Sequence, residues 1–431
     1  MPRVLLRRCT LWSFSVSSQR ATNKENSILA GYPCILLIGI GGVYNYGCEA
    51  IVRGTEAIVR SAWPDARIVY ASRRPEEDKR RLTGSDVDVV YRPSRGRYSL
   101  SNVIRKLLSF MGIKWHPMSD SLALLNGHKA VLSIGGDIYT LSSSGEYSGA
   151  LPKFGAAAEE RGIPYILWGA SVGPFARNPR AEAFFKEHLS RISLITARER
   201  DTVEYLAGIG VSRNVVPCAD PAFAVAPEIV KNGTPRGAKK RTVAVNLSPL
   251  SVRHIGLSQT DAIDSQAKMI ERIVGTYDVE VVLVPHVVCG FSEHDDDLRY
   301  LRRIRTAVDG PSQQRVRLLD TDTGFVGTKR VLAECDLVIA ARMHCAINAM
   351  AAHVPTLLLA YSQKAQGMAN YVYGHRDWAF ALKDFCSDEC LNAIGRMLDS
   401  TEMVSAHLAR RIPEVRSDAF RPVDALRRLI S

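Results

Sequence analysis

The chain has 431 residues, of which 46% are hydrophobic and 23% charged, a composition typical of a globular protein with room for two cores. No run approaches the roughly 18 consecutive apolar residues that span a bilayer, so we expect any membrane association to be peripheral. The net charge of +12 is spread along the chain without a recognised nucleic-acid motif, so we expect no nucleic-acid partner; an anionic substrate or membrane surface fits the charge as well.

The cysteines and the first residues bear on location and processing. Nine cysteines are dispersed without a CxxC pair, which favours buried thiols in a reducing cytoplasm. Cys386 and Cys390 could share a helix face, but no second ligand pair accompanies them, so we expect no metal site. Residues 1–29 carry four arginines and no acid before Glu25, which predicts a leader or disordered extension outside the fold.

The first feature inside the predicted fold is the apolar run 34–38, followed by GIGGVYNYGCEAI at residues 39–51 and then a helical pattern. The first three glycines stand too close together for the GxGxxG spacing of a dinucleotide site. We expect instead a loop at a helix N-terminus, near Asn45 and Gly47, that holds an anion or a sugar hydroxyl. A tight turn needed only for packing is the alternative.

Apolar, strand-like runs then alternate with amphipathic helical patterns. The strand-like runs form two series, 35–40, 66–72, 86–92, 130–136, 164–171 and 193–198, then 242–248, 279–286, 315–320, 336–341 and 354–361. This alternation predicts mostly parallel sheets covered by helices on both faces.

A polar stretch between the two series, residues 227–241, has no apolar period and predicts an interdomain linker. The expected fold class is α/β, with two doubly wound, Rossmann-like domains in a GT-B-like arrangement around an interdomain cleft. Residues 30–226 would form the N-terminal domain, and residues 242–431 the C-terminal domain with additional C-terminal helices. Ligands of such sheets bind beyond the carboxyl ends of the strands.

One strand of the first series ends in Gly135-Gly136-Asp137. Glycines at a strand end let a ligand approach the backbone closely, which makes Gly136 a candidate binding residue. Asp137 would lie at the cleft rim, where its carboxylate could accept sugar hydroxyls or act as a base. A helix cap is an equally weighted alternative for this aspartate.

In the second series, one strand runs directly into Arg342 and His344, which can point into the same cleft. Arginine offers a fixed fork for carboxylate or phosphate, and histidine exchanges a proton near neutral pH. His286 ends another strand and Lys364 follows the last one, where it could bind phosphate. A surface arginine and a capping histidine are the alternatives, and the acids at 295–297 fit a helix start better than a metal site.

Several segments together resemble the polysaccharide pyruvyl transferase family. NYGCEAI is similar to its amino-terminal NxGDEAI-type motif, and ARERDTVEYLAGIGV and CADPAF resemble two central segments. ARMHCAINAMAAHVPTLLLAYSQKAQG resembles its RxH, small-residue helix and Tyr-x-x-Lys block, so the likeness covers about residues 33–375. Cys48 departs from the pattern, because the family often has aspartate there.

The resemblance implies transfer of a pyruvyl group from phosphoenolpyruvate to two hydroxyls of a sugar in a polysaccharide or oligosaccharide, forming a ketal and releasing phosphate. Arg342 and Lys364 would bind the donor and His344 would protonate it, which makes residues 242–431 the donor side and residues 30–226 the acceptor side. Asp137, Glu49 and His286 are candidates, in no fixed order, for orienting or deprotonating the acceptor. The scheme demands no metal, nucleotide or other cofactor.

Two alternatives remain open. A GT-B glycosyltransferase using a nucleotide sugar would share the fold, although the sequence after the last strand offers no acid for a ribose. A non-catalytic glycan-binding relative is the other, with Cys48 as its warning sign. The expected location is the cytoplasm, and the basic surface is compatible with the inner face of the membrane. The sequence does not specify an oligomeric state.

Overall fold

The computed structural model describes residues 32–93, 118–142, 144–225, 240–360 and 363–430. The predicted leader, residues 1–29, and all but the last two residues of the predicted linker lie outside the described residues. None of the described helices combines the length and the apolar character that crossing a bilayer requires.

Within the described residues, the first sheet has seven strands in the order β3-β2-β1-β4-β5-β6-β7, and all of its pairings are parallel. Its strands are β1 (Cys34–Ile38), β2 (Arg67–Ser72), β3 (Asp88–Tyr91), β4 (Ala130–Ile134), β5 (Tyr165–Ala170), β6 (Leu194–Ala197) and β7 (Val215–Pro217). The central strands β4 and β5 are buried along their whole length, as expected where helices cover both faces of a sheet.

In the part of the chain that the structure describes, the second sheet has six strands in the order β10-β9-β8-β11-β12-β13, again with parallel pairings only. Its strands are β8 (Thr242–Asn246), β9 (Glu280–Leu283), β10 (Val316–Leu318), β11 (Leu337–Ala340), β12 (Thr356–Ala360) and β13 (Ala379–Ala381). The two doubly wound sheets confirm the predicted α/β fold class.

Helices connect the strands of both sheets. In the first half they are α1 (Tyr46–Ala62), α2 (Pro75–Arg81), α3 (Ala150–Glu159), α4 (Pro179–Arg191) and α5 (Arg200–Gly208). In the second half they are α6 (Pro249–His254), α7 (Gln259–Tyr277), α8 (Asp297–Ala307), α9 (Gly324–Ala333), α10 (Met343–Ala351), α11 (Gln363–Tyr373), α12 (Asp388–Asp399), α13 (Thr401–Phe420) and α14 (Val423–Ile430). Side-chain caps define several starts: Asn45 accepts from Gly47 N at 2.9 Å and Asp296 from Arg299 N at 3.0 Å.

The last two helices return to the first domain. Leu408 and Leu426 share one core cluster with Ile51 and Ile58 of α1, and the amide of Ala219 donates to the Asp418 carbonyl at 3.3 Å. The predicted boundary gave residues 401–430 to the second domain alone, whereas their apolar faces join both halves.

The loops at the carboxyl ends of β1 and β9 meet across the domain boundary. Tyr46 N donates to the His286 carbonyl at 3.0 Å, and Val288 N donates to the Tyr44 carbonyl at 3.1 Å. Arg81 adds a bond of 3.0 Å to the Val288 carbonyl and an ion pair with Asp322. The carboxyl ends of the two sheets therefore face each other across one cleft.

Candidate active site

The interdomain cleft has a volume of about 370 Å³. Its walls are the glycine turns after β1 and β4, the loop after β9 and the first turns of α10 and α11. It brings together seven of the nine predicted site residues: Asn45, Gly136, Asp137, His286, Arg342, His344 and Lys364. Gly47 packs directly behind this surface, and Glu49 faces elsewhere.

The turn after β1 has a backbone that only glycine adopts readily. Gly39 has φ +134°, and a Cβ there would lie 2.3 Å from the Ile134 carbonyl oxygen of the neighbouring strand. Asp78, which is fully buried, accepts a hydrogen bond from Val43 N at 3.0 Å and so anchors the far side of the turn. These contacts hold β1 and β4 close together at the cleft floor.

His344 lies in the first turn of α10 and is paired with a buried carboxylate. Its Nε2 atom is 3.4 Å from Oδ2 of Asp220, whose side chain is 1% exposed. Asp220 also accepts hydrogen bonds from Arg198 at 2.6 Å and from Ala222 N at 2.9 Å. Burial would raise the pKa of Asp220, but His344 and Arg198 hold that pKa well below its usual range. Asp220 is thus an ionised anchor for the imidazole ring.

Gly47 provides the space that the other edge of this ring occupies. A Cβ on Gly47 would lie 2.5 Å from Nδ1 of His344 and 2.7 Å from its Cγ. Asn45 caps α1 just before this glycine and pairs with Val287 in an isolated bridge, which fixes α1 against the second domain. The imidazole is therefore held between Asp220 on one side and the first turn of α1 on the other.

Arg198, directly after β6, lies beneath the cleft with a side chain only 6% exposed. Its Nε and Nη2 atoms each donate to Ser171 Oγ at 3.1 Å, and its Nη1 donates to Asp220. Burial lowers the pKa of Arg198, but Asp220 and Glu199 outweigh it and raise the pKa above its usual value. A Cβ on Gly136 would lie 2.4 Å from Nη2, so glycine there lets the guanidinium reach the cleft.

An ion pair between Asp137 and Lys364 joins the two domains at the cleft rim. The Asp137 side chain is 59% exposed and that of Lys364 is 30% exposed, so both are accessible to solutes. Although much of the side chain is exposed, the surrounding protein removes part of the hydration of Asp137 and opposes its ionisation; Lys364 and Arg198 outweigh this and lower its pKa below the usual value. Asp137 is therefore a carboxylate at neutral pH.

Arg342 lines the cleft, but its guanidinium is committed to a neighbouring acid. Its Nη2 donates to Asp297 Oδ1 at 2.8 Å, and its Nε lies within 3.3 Å of both carboxylate oxygens. Asp297 is fully buried and also accepts from the amides of His286 and Val287 at 3.1 Å. The positive charge of Arg342 is thus largely offset, which the sequence did not reveal.

His286 presents a neutral imidazole to the cleft. Burial, with His344 and Arg342 nearby, lowers the pKa of His286 well below its usual value. Among the described residues, its buried Nε2 atom has no hydrogen-bond partner. A buried nitrogen of this kind is suited to a hydrogen bond with a ligand.

Glu49 lies outside the cleft, although the sequence made it a candidate catalytic residue. Its carboxylate is 1% exposed, pairs with Arg53 at 2.8 Å and accepts from Phe325 N at 2.8 Å, at the start of α9. The geometry gives Glu49 a role in joining the domains. Its neighbour Cys48 does line the cleft, and burial raises the pKa of this thiol to about 12. Cys48 is therefore a neutral group at physiological pH.

Arg198 and Asp220 are the residues that the sequence predictions missed. Both occur in segments that carried the family resemblance, ARERDTVEYLAGIGV and CADPAF, without a role assigned to them. The available signal was position, since Arg198 directly follows a buried strand as Arg342 does. Among the described residues, no group of three or more His, Cys, Asp or Glu side chains could hold a metal ion.

Comparisons with known protein sequences identify the family to which the chain is similar. The family model for polysaccharide pyruvyl transferase matches residues 45–363. The amylovoran biosynthesis protein AmsJ of Erwinia amylovora is 23% identical over 263 residues, which cover 59% of this chain and 62% of AmsJ. The chain thus spans less than two thirds of that relative's length.

Solved structures of low identity share the fold. UDP-GlcNAc 2-epimerase from Neisseria meningitidis, bound to UDP-GlcNAc, has a TM-score of 0.56 at 10% identity, over 92% of this chain and 99% of its own. Anabaena Alr3699/HepE in complex with UDP-glucose has a TM-score of 0.52 at 16% identity, over 92% and 97%. These likenesses confirm the GT-B-like architecture and carry no statement about substrate. Since the family model matches most of the chain, the protein belongs to the polysaccharide pyruvyl transferase family.

Proposed function

We propose that this protein transfers the pyruvyl group of phosphoenolpyruvate to two hydroxyls of one sugar in a polysaccharide or its lipid-linked precursor, forming a ketal. The observation that carries the proposal is the shared carboxylate of Asp220, which holds both Arg198 and His344 at an interdomain cleft. An anion ligand and a proton donor are thereby fixed side by side. The family match supports pyruvyl transfer, and the name of AmsJ supports a polysaccharide as the product.

The donor carries a carboxylate and a phosphate, so it needs cations on more than one side. Arg198 pairs with Asp220 as Arg342 pairs with Asp297, but its Nη2 reaches the cleft beside Gly136, which suits it to one anionic group. Lys364 can release its exposed partner Asp137 and bind the donor's second anionic group at little cost in free energy, because exposed ion pairs are weak. Asp297 offsets the charge of Arg342, so Arg342 attracts the donor less strongly. Its pairing with Asp297 holds the loop after β9 in position.

Proton transfer to the donor's methylene carbon falls to His344. His344 lines the cleft, and its Nε2 atom lies 3.4 Å from Asp220, which holds the imidazole in place for this role. Protonation converts the methylene into a methyl group and leaves the adjacent carbon electron-poor. One acceptor hydroxyl then bonds to that carbon, a second hydroxyl follows, and the C–O bond to phosphate breaks. The acceptor hydroxyls release two protons. These equal the one proton that the methylene carbon gains and the one proton that leaves with phosphate.

Asp137 is the group we assign to the acceptor. It is ionised, accessible and at the rim, where an incoming sugar must pass. Attack on an electron-poor carbon requires only a weak base, so the lowered pKa of Asp137 does not disqualify it. His286 offers a neutral nitrogen for one further hydrogen bond, and Cys48 makes no catalytic contribution. Location in the cytoplasm or at the inner membrane face stays a prediction.

The test is donor specificity. Purified protein is incubated with phosphoenolpyruvate or with UDP-glucose, UDP-GlcNAc or GDP-mannose, each with a panel of oligosaccharides, while phosphate and nucleotide release are followed. We expect phosphate release only with phosphoenolpyruvate and only when acceptor is present. Nucleotide release would establish the glycosyltransferase alternative, and donor binding without any release would establish the non-catalytic one. Arg198→Ala should abolish donor binding, whereas His344→Ala should keep binding and lose turnover by 10²- to 10⁴-fold.

A further inference from the structure

A second groove adjoins the cleft and shares part of its wall. Arg198 and Lys364 line the cleft on one side and a groove of about 650 Å³ on the other. The groove runs between the start of α5 in the first domain and helices α11 and α13 in the second half. Its volume falls within the roughly 300–1,000 Å³ range of ligand pockets. A chain-like ligand could therefore occupy both spaces at once.

Among the described residues, four of the five arginines that line this groove are paired with a nearby acid. Arg200 bonds to Glu204 at 2.6 Å, and Arg421 pairs with Asp418. Arg411 donates to the Tyr371 carbonyl at 3.1 Å and pairs with Glu414 at 2.6 Å. Pairs of this kind present hydrogen-bond donors and acceptors side by side.

Arg198 and Lys364 line both spaces, and the groove differs from the cleft in the residues that surround these two cations. In the groove, Tyr371 lies with its ring beside Arg411 and its hydroxyl on Asp418 at 2.7 Å, and Asn370 is exposed. A surface that mixes one aromatic ring with many hydrogen-bonding groups fits a neutral ligand rich in hydroxyls.

We infer that the groove binds the sugars that flank the pyruvylated residue, so that the acceptor is recognised as an oligosaccharide and not as a single sugar. The inference rests on the proposed function. It adds that the acceptor is longer than one sugar and that the flanking sugars lie in the groove. Because both domains form the groove, acceptor binding would also hold the cleft in its assembled geometry.

Gly367 allows the groove to be filled without disturbing the fold. It is an exposed residue of α11 that lines the groove, and a Cβ there would meet no atom within 4 Å. Gly275 of α7 is an exposed helical glycine with the same open space, outside the groove. Gly367→Trp and Gly275→Trp are therefore a matched pair, and their melting temperatures would show that both fold.

The probes are the methyl glycosides of galactose, glucose and mannose and the tetrasaccharides of the same sugars, with phosphate release from phosphoenolpyruvate as the readout. We expect a KM for the tetrasaccharide at least tenfold below that for its methyl glycoside. Gly367→Trp should shrink this ratio about tenfold, and Gly275→Trp should preserve it. Equal KM values in the wild type, or an unchanged ratio in Gly367→Trp, would overturn the inference.

Absence of phosphate release with every probe would count against the proposed function instead. Titration calorimetry then tests whether the groove binds the tetrasaccharides, independently of turnover. Binding to the wild type that is about tenfold weaker in Gly367→Trp supports the inference. Binding that is equal in the two proteins, or undetectable in both, overturns it.

Discussion

Replacing Gly47 with alanine tests the placement of His344 with a single methyl group. The new Cβ would lie 2.5 Å from Nδ1, 2.7 Å from Cγ and 3.0 Å from Cβ of His344. Non-bonded carbon and nitrogen atoms prefer a separation of roughly 3.5 Å, so the ring must move by about 1 Å. The contacts lie within the imidazole and its Cβ, so rotation of a flexible chain end cannot relieve them.

A shift of about 1 Å in a proton donor costs on the order of 10²-fold in rate. We therefore expect kcat for phosphate release to fall about 100-fold in Gly47→Ala. Overpacking costs roughly 1–3 kcal/mol, and alanine recovers up to about 1 kcal/mol through helix propensity, so the variant should still fold. The assay is steady-state turnover of phosphoenolpyruvate, with the melting temperature measured on the same samples.

The control is a double-mutant cycle with His344→Ala. Once the ring is absent, the methyl group at position 47 has no imidazole to displace, and the second substitution should cost no further activity. Gly275→Ala, an open helical position, serves as the matched glycine control and should retain activity. Wild-type kcat in Gly47→Ala would refute the assignment of His344, as would fully additive losses in the cycle.

Three further predictions concern Asp220, Glu49 and His188. Asp220→Asn should lower kcat about 100-fold. Combined with His344→Ala it should cause little further loss, because both residues act through one imidazole. Losses that multiply in the steady-state assay would argue against this shared role. Glu49→Gln should keep kcat within about threefold while lowering the free energy of unfolding by about 1–3 kcal/mol, since it loses a charged interdomain contact; loss of turnover at unchanged stability would return Glu49 to the catalytic group. His188 is buried, and burial lowers its pKa to about 4, so the folded protein binds this proton less readily than the unfolded chain. The stability contributed by the neutral His188 side chain is therefore complete above the unfolded pKa near 6.5. Below that pH the free energy of unfolding falls by about 1.36 kcal/mol per pH unit, or about 2 kcal/mol by pH 5. Denaturant titrations of wild type and His188→Gln at pH 7 and pH 5 should show the variant losing about 2 kcal/mol less, and equal losses would contradict the assignment.

The sequence predicted the fold well where a strand carried a long apolar run. Eleven strand-like runs correspond to β1–β6 and β8–β12. The two missed strands, β7 and β13, have three residues each and are only partly buried or exposed, so they carry no apolar run to recognise. The return of α13 and α14 to the first domain depends on which distant surface accepts their apolar faces, and a local pattern contains no such information.

The site was predictable as far as strand ends determine it. Asp137, His286, Arg342, His344 and Lys364 all reach the cleft, because parallel strands deliver their carboxyl ends to one edge. The sequence alone could not show which of Cys48 and Glu49 faces the cleft. Successive residues of a helix point in directions about 100° apart, and the structure turns the thiol toward the cleft and the carboxylate toward α9.

Pairings between distant residues lay beyond the sequence. Arg342 looked like the anion ligand, but its partner Asp297 follows a different strand, and only the assembled sheet brings the two within 2.8 Å. The same holds for Asp220, which is separated by more than a hundred residues from His344. Long-range ion pairs of this kind decide which cation is available to a ligand, so residue type and spacing alone assign them poorly.

The central claim is the transfer of a pyruvyl group, and mass spectrometry of the acceptor tests it most directly. Lipid-linked and free oligosaccharides are incubated with phosphoenolpyruvate and either wild-type protein or His344→Ala. The account predicts an acceptor whose mass increases by one pyruvyl ketal with the wild type, in step with phosphate release, and an unmodified acceptor with the variant. Recovery of every acceptor unmodified from the wild-type reaction, or equal modification by both proteins, would contradict it.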